Sequence, residues 1–208
     1  MELLLWYNLL GKSGFVEDLT MGKELSDMTL KELWNLFPIF LVQPDNQWNE
    51  YYKEIEAEIT DLLTGYPVKR ISHIGSTAIH GIWAKNIVDV IVEILEKADM
   101  EKVAQILGQN GFIKMSDEKR RISLNKGYTK AGFADKVYHI HLRYTGDNDE
   151  LYFRDYLNDH PQIAKEYETL KLELWKRYEH DRDAYTDAKT DFIRKWTTEA
   201  RTIYGKRY

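Results

Sequence analysis

A chain of 208 residues, 43% hydrophobic and 30% charged, is long enough and apolar enough to fold around a core without disulfides or a structural metal. It has no cysteine, which excludes disulfides, zinc fingers, iron–sulfur clusters and thiol nucleophiles. With 29 basic and 34 acidic residues the net charge is −5, so no overall cationic field attracts nucleic acid.

The first ten residues are apolar but carry Glu2, no basic lead-in and no small-residue cleavage site, so they do not read as a signal peptide. No apolar run approaches a membrane span, and the protein is expected to be cytoplasmic. Residues 1–20 show weak periodicity and are expected to add little to the core, with Met21 as an alternative start.

Thr29 and Glu32 form a capping box. Leu30, Leu33, Trp34 and Phe37 then share a helical face that Pro38 should end. Asp45 or Asn46 can cap a second helix along Trp48, Tyr52, Ile55, Ile59 and Leu62, with Gly65 as its stop. An extended segment from Val68 to Ile74 is broken by Gly75-Ser-Thr77. The run Ile87–Ile94 is short, β-branched and nearly all apolar, the pattern of an interior strand. Asp99 caps a helix that Asn110-Gly111 ends. Extended stretches follow near 111–115 and 120–128. From Val137 to Tyr144, His139, His141 and Arg143 alternate with Tyr138, Ile140, Leu142 and Tyr144. From about Asp147 the chain turns helical, with Pro161 at a first helical position. The order predicts an α+β fold, a mixed or antiparallel sheet with helices on one side.

Three constellations could carry chemistry. In His73-Ile-Gly-Ser-Thr77, glycine lets the backbone approach a ligand, and successive amides and hydroxyls could cradle phosphate; a plain turn is the structural alternative. Asp89 lies in the apolar strand, where an unpaired carboxylate is costly, so a divalent cation, Lys85 or a structural hydrogen bond should compensate it. Glu93 shares its face but lies roughly 13 Å away, too far to join the same ion. His139 and His141 project from one strand face, roughly 6.5–7 Å apart at Cα, suited to metal, to phosphate or to a solvated surface. Lys119-Arg-Arg121 is a small basic cluster that could meet an anion. Arg154, Tyr185 and Lys189 read as surface pairs or packing.

Together these segments resemble the GrpB family, a bacterial group with a nucleotidyltransferase-like fold. The likeness runs through about 36–208. It rests on His73-Ile-Gly-Ser-Thr-Ala-Ile-His-Gly81, Ala84-Lys-Asn-Ile-Val-Asp89, His139-Ile-His141, Phe153-Arg-Asp-Tyr-Leu-Asn-Asp-His-Pro161 and Tyr185-Thr-Asp-Ala-Lys189-Thr-Asp-Phe-Ile193. The family usually has proline where this chain has His80 and Asn86.

The resemblance implies a nucleotidyltransferase-like mixed or antiparallel sheet flanked by helices over 36–208, a helical C-terminal region and a helical extension over 1–35. It implies a nucleotide or other phosphate-containing ligand held by Gly75, Ser76, Thr77 and Arg121, with Asp89 and Lys85 as catalytic candidates. Asp89, His139 and His141 are the metal candidates, for magnesium or manganese, or for a transition metal if the histidines ligate. Active relatives of the fold carry a second acid two residues after the first, where this chain has Ile91. A non-catalytic nucleotide- or coenzyme A-related binding module is therefore the alternative. No membrane or nucleic-acid partner is expected.

Overall fold

The computed structural model describes residues 23–208; the expectations for residues 1–20 and Met21 lie outside them. A short helix α1 (Leu30–Leu36) opens on the capping box, with Thr29 and Glu32 bonding reciprocally. It ends two residues before Pro38, whose ring disfavours helix in the preceding residue. Leu30 is exposed, so the buried stripe expected of α1 narrows to half-buried Leu33 and Trp34 followed by buried Phe37.

Helix α2 (Gln47–Leu62) leads into strand β1 (Val68–Ile74), and strand β2 (Val88–Ile94) follows the Gly75 turn. Helix α3 (Met100–Gln109) is capped by the Asp99 side chain, which accepts from Lys102 N. Then come β3 (Ile113–Glu118), β4 (Arg121–Thr129) and β5 (Gly132–Tyr144). The last strand begins earlier than the alternation implies, because β4 and β5 form one long hairpin. Helices α4 (Asp149–Asp159), α5 (Pro161–Tyr178), α6 (Arg182–Asp187) and α7 (Thr190–Tyr204) complete the chain. Among the described residues no helix is long and apolar enough to cross a membrane.

The five strands form one mixed sheet in the order β1-β2-β5-β4-β3. β2 pairs antiparallel with β1 and parallel with β5, so it is interior, as its apolar run predicts. Parallel pairing sets Asp89 beside His139, Ile91 beside His141 and Glu93 beside Arg143 on one face. The other face carries Val88, Val90, Val92, Ile140 and Leu142, which pack on Trp48, Ile55 and Ile59 of α2 and Val103 and Leu107 of α3.

The polar face is covered too. Ile91 and Ile74 pack on Leu151 of α4, and Arg154 of α4 donates to the His73 carbonyl at 2.7 Å. Helices on one side were expected; they lie on both, because the acids and histidines of this face are sheltered by α4–α7 rather than left to solvent.

Candidate functional site

β1 is followed by Gly75, whose φ of 71° and ψ of −171° lie in a region open essentially to glycine. The turn passes so close to β2 that a β-carbon on Gly75 would lie 2.8 Å from both Cβ and Cγ of Asp89. Glycine is thus required twice, for conformation and for space. Ser76 follows beside the phenol of Tyr167 from α5.

Thr77 does not open onto this cleft, contrary to the phosphate role expected of it. It is buried, its hydroxyl donates to the Ile87 carbonyl at 3.1 Å, and it meets His73 Nε2 at 2.9 Å. His73 in turn stacks on Tyr52, ring centroids 5.0 Å apart, and burial lowers its pKa to about 4. This pair ties the turn to β1.

Asp89 is the hub. His139 Nδ1 and His141 Nε2 each lie 3.2 Å from its Oδ1. Its side chain is 25% exposed, so the carboxylate sits in a cleft rather than a sealed core. Burial alone would raise the pKa of this acid, but the bonds from the two histidines overcome that and hold it far below the carboxylate range.

Each imidazole has an arginine behind it. Arg182 Nη2 donates to the Tyr128 hydroxyl at 2.8 Å, and that hydroxyl lies 2.8 Å from His139 Nε2, with Arg182 itself 3.4 Å from the same nitrogen. Arg143 Nη2 lies 3.4 Å from His141 Nδ1. An arginine can only donate, so the far nitrogen of each ring accepts and the near nitrogen carries the proton toward Asp89. Burial lowers the pKa of His139, which favours this neutral tautomer.

That arrangement does not fit a bound metal. The nitrogens that would ligate are the ones that donate to Asp89, and the second acid position is Ile91, which is fully buried in apolar contact. Among the described residues no group of three or more His, Cys, Asp or Glu is spaced to hold an ion. Asp89, His139 and His141, the residues expected as metal ligands, do converge, and here they form a hydrogen-bonded acid.

Facing Asp89 are cations. Lys85, in the segment before β2, has its ammonium 5.8 Å from the Tyr185 ring centroid, and Lys189, at the α6–α7 junction, lies 4.3 Å from the same ring. Burial lowers the pKa of Lys85 to about 7, with Arg182 and Lys189 adding repulsion. Burial likewise lowers Lys189 to about 8, although Asp89 pulls it up. Lys171 of α5 is buried, donates to the Trp83 carbonyl and is lowered to about 7 by burial, with Lys189 and Lys85 adding repulsion.

Arg121 is not in this cleft. It pairs with Arg143 in register, at the level of Glu93, and its exposed side chain bonds Asp147 twice at 2.7 Å. Four residues of strand, roughly 13 Å, separate that level from Asp89. Glu93 is likewise structural: it accepts from Gly146 N and Asn148 Nδ2, both at 3.0 Å, and pins the turn into α4.

Sequence reasoning missed Arg182, Tyr128 and Lys189. Lys189 lies in a quoted family block, which is the available signal, but in sequence it reads as a surface pair or packing. At the break between α6 and α7 its ammonium lies over the Tyr185 ring, within electrostatic reach of Asp89. The positions where proline was expected have their own bonds: His80 N donates to Asn158 Oδ1 at 2.9 Å, which proline could not do, and Asn86 Oδ1 accepts from Trp48 Nε1 at 2.8 Å.

Comparison with known proteins matches these elements. The family model described as GrpB protein matches residues 38–199. The glutamate-rich protein GrpB of Alkalihalophilus pseudofirmus is 34% identical over 164 residues, 74% of this chain and 91% of that one. The protein YqkA of Bacillus subtilis is 28% identical over 171 residues, 79% of this chain and 49% of YqkA. The crystal structure of the conserved protein GrpB from Enterococcus faecalis superposes with a TM-score of 0.68 at 27% identity, covering 79% of this chain and 99% of that one.

Proposed function

The chain belongs to the GrpB protein family, and from that membership we propose that it binds a nucleotide or another phosphate-containing ligand in the cleft between the Gly75-Ser76 turn, Asp89 and helices α5–α7. The observation that carries this reading is the union of a glycine turn packed on Asp89 with two lysines grouped on one tyrosine ring. Backbone amides at such a turn and ammonium groups are phosphate donors.

Binding without transfer is the form the geometry supports best. A carboxylate held far below its ordinary range is a weak general base at neutral pH, and Asp89 is so held by two donors. Ile91 supplies no second acid. Nucleotidyl transfer, the reaction the nucleotidyltransferase-like resemblance implies, is the competing outcome.

The test is equilibrium binding and thermal shift with ATP, other nucleotides and dephospho-coenzyme A, paired with an assay for pyrophosphate release. Saturable binding without pyrophosphate release is expected. Release under turnover conditions would make the protein a transferase. Absence of binding to every phosphate ligand, with or without divalent metal, would overturn the reading.

A further inference from the structure

We propose that this cleft takes a polyanion of linked phosphates directly on Lys85, Arg182 and Lys189, without a divalent metal. The inference rests on the reading above that the ligand carries phosphate, and it names how the phosphate charge is met.

The charge balance leads there. The carboxylate that faces Lys85 and Lys189 is Asp89, which is already bonded by the two histidines, with Arg182 on the far side of His139. Among the described residues, no carboxylate lies within 4.0 Å of the Lys85, Arg182 or Lys189 charge. Three cations against one acid leave an excess positive charge in a half-buried site. Sheltered charges are ordinarily paired, so the site is built for an incoming anion. A single phosphate would meet only part of that excess; a diphosphate or triphosphate spans more of it.

The chemistry of the side chains agrees. Lys85 and Lys189 approach the ring of Tyr185 from separate segments, which holds two ammonium groups near one rigid surface. Arg182 lies 5.7 Å from the Tyr128 ring centroid and donates to that hydroxyl with one nitrogen, leaving other guanidinium donors for an oxyanion. Repulsion among these groups lowers the lysine pKa values beyond what burial does, and an anion would relieve it. In a two-metal site the ions neutralise the polyphosphate and acids hold the ions. Here the second acid position holds Ile91, both histidines donate to Asp89, and Lys85, Arg182 and Lys189 supply the positive charge instead.

The polyanion could be free inorganic polyphosphate or the phosphate tail of a nucleotide. Calorimetric titration of the full chain with orthophosphate, pyrophosphate, triphosphate and ATP, in EDTA and again in excess magnesium or manganese, tests the proposal and separates the two sources. Triphosphate and pyrophosphate should bind in EDTA, roughly tenfold or more tighter than orthophosphate, and metal should leave affinity unchanged or lower it. Losing one charge-assisted contact should weaken triphosphate binding by roughly tenfold or more in Lys189→Gln and Arg182→Gln, with Lys189→Arg retaining most of it. Triphosphate binding at least as tightly as ATP points to free polyphosphate, and ATP binding several-fold tighter than triphosphate points to the phosphate tail of a nucleotide. ATP binding while triphosphate does not would overturn the proposal, since recognition would then lie in the nucleoside. Binding that appears only with metal would also overturn it while leaving the phosphate-ligand reading intact. Failure of every phosphate compound with and without metal would remove both. The EDTA comparison needs no variant, so it stands if a substituted protein does not fold.

Discussion

Gly75 and Asp89 pack so closely that no β-carbon fits between them. The contact joins the end of β1 to the acid of β2, two strands paired antiparallel with Ile74 opposite Asp89. It follows that the turn and the carboxylate move as one unit, and that a change in either disturbs the other.

Gly75→Ala should therefore be strongly destabilising. The backbone strain at this φ and ψ costs about 1–3 kcal/mol, and displacement of Asp89 adds to it. A fall in melting temperature of at least about 5 °C is expected for a chain of this size. Calorimetry showing an unchanged transition would mean that the turn has another conformation.

Asp89→Asn removes the charge but keeps an oxygen acceptor for His139 and His141. Replacing charged by neutral acceptors should cost about 1–3 kcal/mol at neutral pH. The folded pKa lies below the ordinary 3.8, so the stability from this carboxylate is present above that pH and is lost as pH falls through the folded value. The gap between wild type and variant should close in strong acid. Denaturant titrations showing Asp89→Asn equal to or more stable than wild type at pH 7 would contradict the hydrogen-bonded hub.

His73 acts in the pH window just above that of Asp89. Burial lowers its pKa from 6.5 to about 4, so the unfolded chain takes up a proton that the folded chain refuses. Stability contributed by the neutral ring is whole above about pH 6.5 and is lost progressively down to about pH 4, a difference of about 3 kcal/mol for this group. His73→Gln should flatten the stability profile over that window. A profile as steep as the wild type would place the proton uptake elsewhere.

Arg121→Ala serves as the contrast. Its side chain is exposed and bonded to Asp147 at the Glu93 level of the sheet. Stability should change by about 1 kcal/mol or less, and triphosphate affinity should match wild type. A large loss of affinity on removing Arg121 would show that the ligand reaches along the strands to that end.

Periodicity and local chemistry marked out most elements. The capping box at Thr29, the Asp99 cap, Pro161 at a helix start and the interior character of β2 are local properties, governed by backbone donors and side chains a few residues apart. Alternation alone placed Asp89, Ile91 and Glu93 on one face and His139, His141 and Arg143 on another. That those faces coincide, with Asp89 level with His139, follows from the parallel pairing of β2 and β5 across a long hairpin, a register no local pattern encodes. The cationic wall depended even more on tertiary structure. Lys85, Arg182 and Lys189 are ordinary charges in sequence, and they become a site because Lys85 before β2 and Lys189 at the α6–α7 junction meet at the ring of Tyr185, while Arg182 of α6 meets Tyr128 of β4. Arg121 shows the converse: a basic cluster conspicuous in sequence is carried to the far end of the strands by the pairing of β4 with β5. Short-range order is written in neighbouring residues, whereas the meeting of distant charges is decided only when the sheet's register and the helices' docking are set together.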